Sequence, residues 1–223
     1  MMTILMLLAC QDAPTPFRAT MTIERFARRE DRVRVDTGDL AVRPGEALIY
    51  ESRTLKLLLK ERRGIERHGG ERRVTAWDLS KPENFQPLDL WRLAPAAVRE
   101  LFQEVEDRAD SPRPLPPAVV SPEGRPLPAV GVRPAAESLA WADGVDRGDG
   151  CRRVILVPRD ARLRSRITSI RLSVDCATGR ILRVVVDSPA QVLTLTLGDC
   201  QEAASLEDAV FVWDFSGLKV EER

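Results

Sequence analysis

The sequence predicts a mainly β fold, an antiparallel sheet carrying one or two helices. Three observations point there. From Cys151 to Val220 strand-like runs follow one another with no helix between them: Val154–Pro158, Ile167–Val174, Ile181–Val186, Val192–Leu197 and Val210–Phe215. The connections carry turn chemistry in Ala177-Thr178-Gly179, Asp187-Ser188-Pro189 and Gly198-Asp199, and connections this short join antiparallel strands, because parallel ones need long crossovers. Finally, Leu193, Leu195 and Leu197 alternate with threonines, and Phe211, Trp213 and Phe215 recur with the same period of two. Such strands present one large apolar side that something must cover.

The elements follow in chain order. Met1 to Cys10 holds a short apolar run, too short to span a bilayer, that resembles the core of a secretory signal. Leu7-Leu8-Ala9-Cys10 also resembles a bacterial lipobox, which would make Cys10 a lipidation site. No Lys or Arg precedes it, so an upstream start, a weak signal and a buried first strand all stay open. Residues 1–16 are read as this segment and a linker, and 17–223 as one domain. Phe17 to Glu24 alternates as a first strand. Val33 to Val42 is a second, with Gly38 marking a bulge or a close approach. Arg43-Pro44-Gly45-Glu46 is a turn, with Pro suited to its second position and Gly to its third. Ala47–Tyr50, Thr54–Lys60 and Val74–Leu79 continue the set. The charged stretch from Glu61 to Arg73 reads as an exposed hairpin tip or polar edge.

Leu93 to Ala109 has a helical stripe of Leu93, Val98, Leu101, Phe102 and Val105, which would lie across the apolar side of the sheet. Residues 111–134 hold eight prolines and no periodicity and read as a loop.

Chain-wide properties narrow the function classes. At 223 residues a domain buries about 70% of its unfolded surface and needs no metal or disulfide to fold. Thirty-four basic and thirty-four acidic residues cancel, which argues against nucleic acid as a partner. The single His68 sits in a Gly- and Arg-rich loop, no CxxC occurs, and no nucleophile elbow, phosphate loop or dinucleotide fingerprint is present. The reading is a non-enzyme with no cofactor and no metal site. Of the cysteines, Cys151 and Cys176 are brought near one another by the hairpin register and form the preferred disulfide, with Cys176–Cys200 as rival and free thiols as the third option. A sheet incompletely covered by one helix makes an apolar pocket, whereas a fully covering helix makes an ordinary core.

The order of motifs resembles the LolA/LolB-like family of outer-membrane lipoprotein carriers. The resemblance rests on Val154-Ile-Leu-Val-Pro158, on Ile170 to Asp175 with Thr178-Gly179, on Val184 to Asp187, and on Phe211-Val-Trp-Asp-Phe215-Ser-Gly217-Leu-Lys-Val220. In the first half it rests on Phe17 to Phe26 and on Gly38 ahead of Arg43-Pro44. Ser216 stands where the family has a closing Pro, no counterpart of the usual N-terminal helix precedes the first strand unless it was lost with a mis-set start, and the Pro-rich loop and charged 61–73 segment are unusual.

The resemblance implies an unclosed β half-barrel with a helical lid and a greasy interior for lipoprotein acyl chains or other lipid. Its cavity would be lined by Leu193, Leu195, Leu197, Phe211, Trp213, Phe215, Leu101 and Phe102. Arg43 matches a family arginine of cargo handling, a strand-end arginine paired with a carboxylate being the other reading. Partners would be inner- or outer-membrane lipoprotein-sorting components. The location would be periplasmic, with anchoring through a lipidated Cys10 fitting the LolB-like branch. A non-catalytic envelope sensor or interaction module on the same scaffold is the alternative.

Overall fold

The computed structural model describes residues 15–30, 32–105, 151–175 and 177–223. Cys10, residues 111–134, the end of the expected helix beyond Val105 and Cys176 lie outside them. Twelve strands form one sheet that does not close: β1 Phe17–Ala27, β2 Arg32–Arg43, β3 Ala47–Ser52, β4 Leu55–Lys60, β5 Arg63–His68, β6 Arg73–Asp78, β7 Phe102–Val105, β8 Cys151–Pro158, β9 Ser169–Asp175, β10 Ile181–Asp187, β11 Gln191–Glu202 and β12 Lys219–Glu222. Their order is β12-β6-β5-β4-β3-β2-β1-β11-β10-β9-β8-β7. Every pairing is antiparallel except the parallel β12–β6 contact. Among the described residues three short helices accompany the sheet: α1 Asp89–Arg92, α2 Pro95–Leu101 and α3 Ala161–Arg164. The expected open half-barrel with helices is what forms.

The expected turns do local work. Pro44 and Gly45, the latter at φ 82°, close β2 onto β3 with Glu46 N–H donating to Arg43 O at 3.1 Å. Asp175 Oδ1 accepts from the N–H groups of Ala177 and Thr178 and so shapes the β9–β10 turn, whose Gly179 stands at φ 66°. These bonds hold the Asp175 carboxyl below the usual carboxylate range. Gly38 is a close approach, since a Cβ there would stand 2.3 Å from Glu51 O across the β2–β3 pair.

Five expectations are corrected. Gly198-Asp199 is no turn. Thr20 pairs with Gly198 but Arg18 with Gln201, so β11 carries an extra residue there, with Asp199 at φ 45°, and the strand continues through a bulge. The 61–73 stretch is no exposed tip but holds β5, an interior strand. Only Gly64 and Ile65 are buried in it, too short a pattern to stand out among the charges. The helix from Leu93 is cut at Leu101. Phe102 leaves helical geometry at φ −130° and ψ 151°, and β7 pairs Phe102 with Pro158 and Val105 with Ile155. Pairing with β8 overrides the helical stripe, leaving Phe102 buried and Val105 exposed. The link between β8 and β9 is not a plain hairpin but α3, capped by Asp160 accepting from Arg162 N–H and Leu163 N–H. Finally, Val210–Phe215 is not a strand: Asp208–Phe211 is a 3₁₀ turn and the chain then runs irregularly to β12.

Candidate functional site

The alternation along the strands builds two apolar layers. One face, here the inner face, carries Met21 and Ile23 of β1, Leu40 and Val42 of β2, Leu57 and Leu59 of β4, Val154 and Leu156 of β8, Ile170 and Leu172 of β9, and Val184 and Val186 of β10. Leu193 and Leu195 of β11, Phe102 of β7 and Trp77 of β6 belong to the same layer, which thus runs across the sheet from β6 to β7. The residues between them on each strand face the other way, and those of β2–β6 form a second, smaller layer of Ala41, Ala47, Leu58, Ile65, Val74 and Ala76.

The inner face is crossed by the segment between β6 and α2. Phe85, Leu88, Leu90 and Trp91 are buried against it. Phe85 meets Phe102 edge to face at 5.0 Å between centroids. Trp91 Nε1 donates to Ile181 O at 2.8 Å, so the segment reaches β10. At the adjacent residue Gly45 N–H donates to Arg92 O at 2.6 Å and Arg92 to Glu61 O at 3.3 Å. Within α1 the Asp89 Oδ1 accepts two bonds from Arg92, and its Oδ2 accepts from Gln86 N–H. Burial pushes the Asp89 carboxyl up, while the Arg92 guanidinium and Gln86 N–H pull against it. Leu79, Leu93, Val98, Leu101, Val174, Ile181 and Leu197 pack on the layer only half-buried and form its rim.

The sequence-derived lining residues therefore divide. Leu193, Leu195 and Phe102 lie in the inner layer, and Leu101 and Leu197 on its rim. Phe211, Trp213 and Phe215 are on the opposite face, in the second layer with Leu206. There a C-terminal strap crosses β2–β6 and ends as β12. Lys56 and Arg67 lie over the Trp213 ring at 5.5 and 5.9 Å, and Phe215 meets it edge to face at 6.1 Å.

Arg43, at the end of β2, binds this strap. Its guanidinium donates to Asp208 at 2.6 Å, to Glu46 at 3.1 Å and to Leu206 O, and lies 5.0 Å over the Phe211 ring. Arg43 in turn holds the Asp208 carboxyl below its ordinary range. These contacts are those of a strand-end arginine pairing with carboxylates. Cys151 pairs in register with Asp175, while its disulfide with Cys176 involves residues outside those described. Cys200 is a half-buried free thiol, raised by burial.

Sequence reasoning missed Phe85, Leu88, Leu90, Trp91 and Trp77. The signal was present in part: Phe85, Leu88, Leu90, Trp91 and Leu93 are five large apolar residues within nine positions. Pro82 and Pro87 break the stretch so that no single period emerges. Among the described residues no group of three His, Cys, Asp or Glu side chains stands placed to hold a metal ion, and no helix is long and apolar enough to cross a membrane.

No protein-family model and no curated protein matches the chain. Solved structures do show similarity. A LolA superfamily protein from Nitrosomonas europaea aligns over 96% of this chain and 100% of its own, at 11% identity and a TM-score of 0.47. A DUF1329 family protein from Desulfovibrio piger aligns over 92% of each chain, at 9% identity and 0.49. A domain described as an outer membrane lipoprotein-sorting protein from Vibrio parahaemolyticus aligns over 93% of each, at 12% and 0.38. At these values the likeness carries no argument about function, and the fold stands on the strand order and register given above.

Proposed function

We propose that this protein is a non-catalytic carrier of the bacterial envelope that holds the acyl chains of lipoproteins or other lipids against the inner face of its open sheet. The observation that carries the reading is the inner face itself. It is one apolar layer running across an unclosed sheet, bounded by a rim of half-buried leucines, valines and isoleucines. Burying a methylene is worth about 0.8 kcal/mol, so a dozen of them gain on the order of 10 kcal/mol, enough to compete with a membrane. The protein would work in the periplasm and hand its cargo to inner- or outer-membrane sorting components, either free or anchored through Cys10. Gentle purification followed by native mass spectrometry should show retained lipid, and a fluorescent fatty acid should bind and be displaced by unlabelled acyl chains. Protein that carries no lipid and binds no probe would refute the carrier reading.

One observation favours a second reading, an interaction module with a permanently filled core. Phe85, Leu88, Leu90 and Trp91 already lie buried on the inner face, held there by the Trp91–Ile181 and Gly45–Arg92 hydrogen bonds. On that reading the probe fails to bind, and a protein partner is recovered without lipid.

A further inference from the structure

Among the described residues three aromatic polar tips reach into the inner layer, and two are satisfied. The Tyr50 hydroxyl donates to Asp36 at 3.0 Å and the Trp91 indole to Ile181 O at 2.8 Å. The third is Trp77. Its side chain is 4% exposed, and its Nε1 has no acceptor among the described residues. A buried indole N–H ordinarily finds a partner, and one left without it costs free energy that a phenylalanine in the same place would avoid. The site is nonetheless built for an indole. Trp77 on β6 faces Gly64 on β5, and the ring lies so close over that glycine that a Cβ there would stand 2.3 Å from Trp77 Cε2 and 2.5 Å from Nε1. The ring is thereby seated on a backbone with no side chain beneath it, and its one donor lies over Gly64 within the apolar layer.

We propose that the Trp77 indole N–H is the polar anchor of the inner face, donating a hydrogen bond to the carbonyl oxygen of an ester, amide or carboxyl group at the head of a bound acyl chain. The inference rests on the acyl-binding reading above and adds the group that tells an acylated ligand from bare hydrocarbon. In such a site the chain supplies binding through buried area and the single donor supplies orientation. An alkane of the same length fills the same space but leaves the donor unsatisfied. A ligand oxygen that reaches it removes a penalty the unliganded protein carries.

The test is competition against an uncharged apolar dye, N-phenyl-1-naphthylamine, by methyl decanoate and by dodecane, on the wild type and on Trp77→Phe. The wild type should prefer the ester by on the order of tenfold, the worth of one hydrogen bond to an otherwise orphaned donor. Trp77→Phe should bind both ligands equally, with alkane affinity within about twofold of the wild type. A preference that survives in Trp77→Phe, or a parallel loss of alkane and ester binding, overturns the anchor while leaving the carrier reading standing. Failure of both ligands to displace the dye from the wild type, or of the dye to bind, overturns both.

Discussion

Gly64 and Trp77 show how much one missing side chain can decide. A methyl group at position 64 would meet the indole at 2.3 Å, and neither the β5 backbone nor a ring buried in the inner layer can yield far. Gly64→Ala should therefore destabilise by about 1–3 kcal/mol, the usual cost of overpacking, measured as a lower denaturant midpoint at unchanged slope. Arg43 and Asp208 form the other decisive pair. Asp208 is held below its ordinary pKa, chiefly by its hydrogen bond from Arg43. A carboxyl depressed in the folded state adds stability above its unfolded pKa of about 4 and loses it as pH falls through the folded value. Asp208→Asn should then lower the thermal midpoint at pH 7 and lower it by less at pH 3. The effect is small because the pair is solvent-screened, and equal differences at both pH values would dismiss this account.

At the scale of elements, the two crossing segments differ in what holds them. The inner segment depends on a buried ion pair, Asp89 with Arg92, whose side chains are 3% and 7% exposed. Removing one partner of such a pair strands the other charge, so Asp89→Ala should cost about 3–5 kcal/mol in chemical denaturation. The outer strap depends on packing and on exposed ion pairs. Phe211 fills the second layer beneath Arg43, and Arg63–Glu222 and Arg73–Glu221 tie β12 to the edge of the sheet. Phe211→Ala should destabilise by about 3–5 kcal/mol. Because Phe211 faces away from the inner layer, its loss should leave fluorescent fatty-acid affinity within twofold of the wild type. A large drop in that affinity would place the binding surface on the strap side.

For the whole molecule, the proposed carrier role depends on the openness of the sheet. A closed barrel would seal its interior, and a flat sheet would leave its apolar face in water. This sheet carries one apolar layer across most of its strands, with edges at β12 and β7 and a half-buried rim. Leu197 belongs to that rim, so a charge there should repel an acyl chain without unseating the core. Leu197→Glu is expected to weaken fatty-acid binding at least about tenfold with the circular dichroism spectrum retained. Unchanged affinity would show that ligand enters elsewhere or not at all.

Much of the fold and part of the site were legible in the residues themselves. Periods of two mark strands, and Pro-Gly, Thr-Gly and Ser-Pro pairs mark their ends, because both signals arise from chain geometry within a few positions. Leu193 and Leu195 were assigned to one apolar side on that ground, and the inner layer holds both. Other features depended on partners distant in sequence. The helix after Pro95 gives way to β7 because β8, some fifty residues on, offers backbone groups to pair with. β5 lies within the sheet because β4 and β6 pair with its two edges. Periodicity also states which residues share a side without stating what covers it. Phe211, Trp213 and Phe215 resemble Leu193, Leu195 and Leu197 in pattern, yet the strap carries them to the opposite face. The sequence by itself determined the strands, the turns and the two-sidedness of the sheet, all local properties of the chain. Only the tertiary structure decided which side became the inner face and which segments cross it, because covering an apolar layer depends on contacts between residues far apart along the chain.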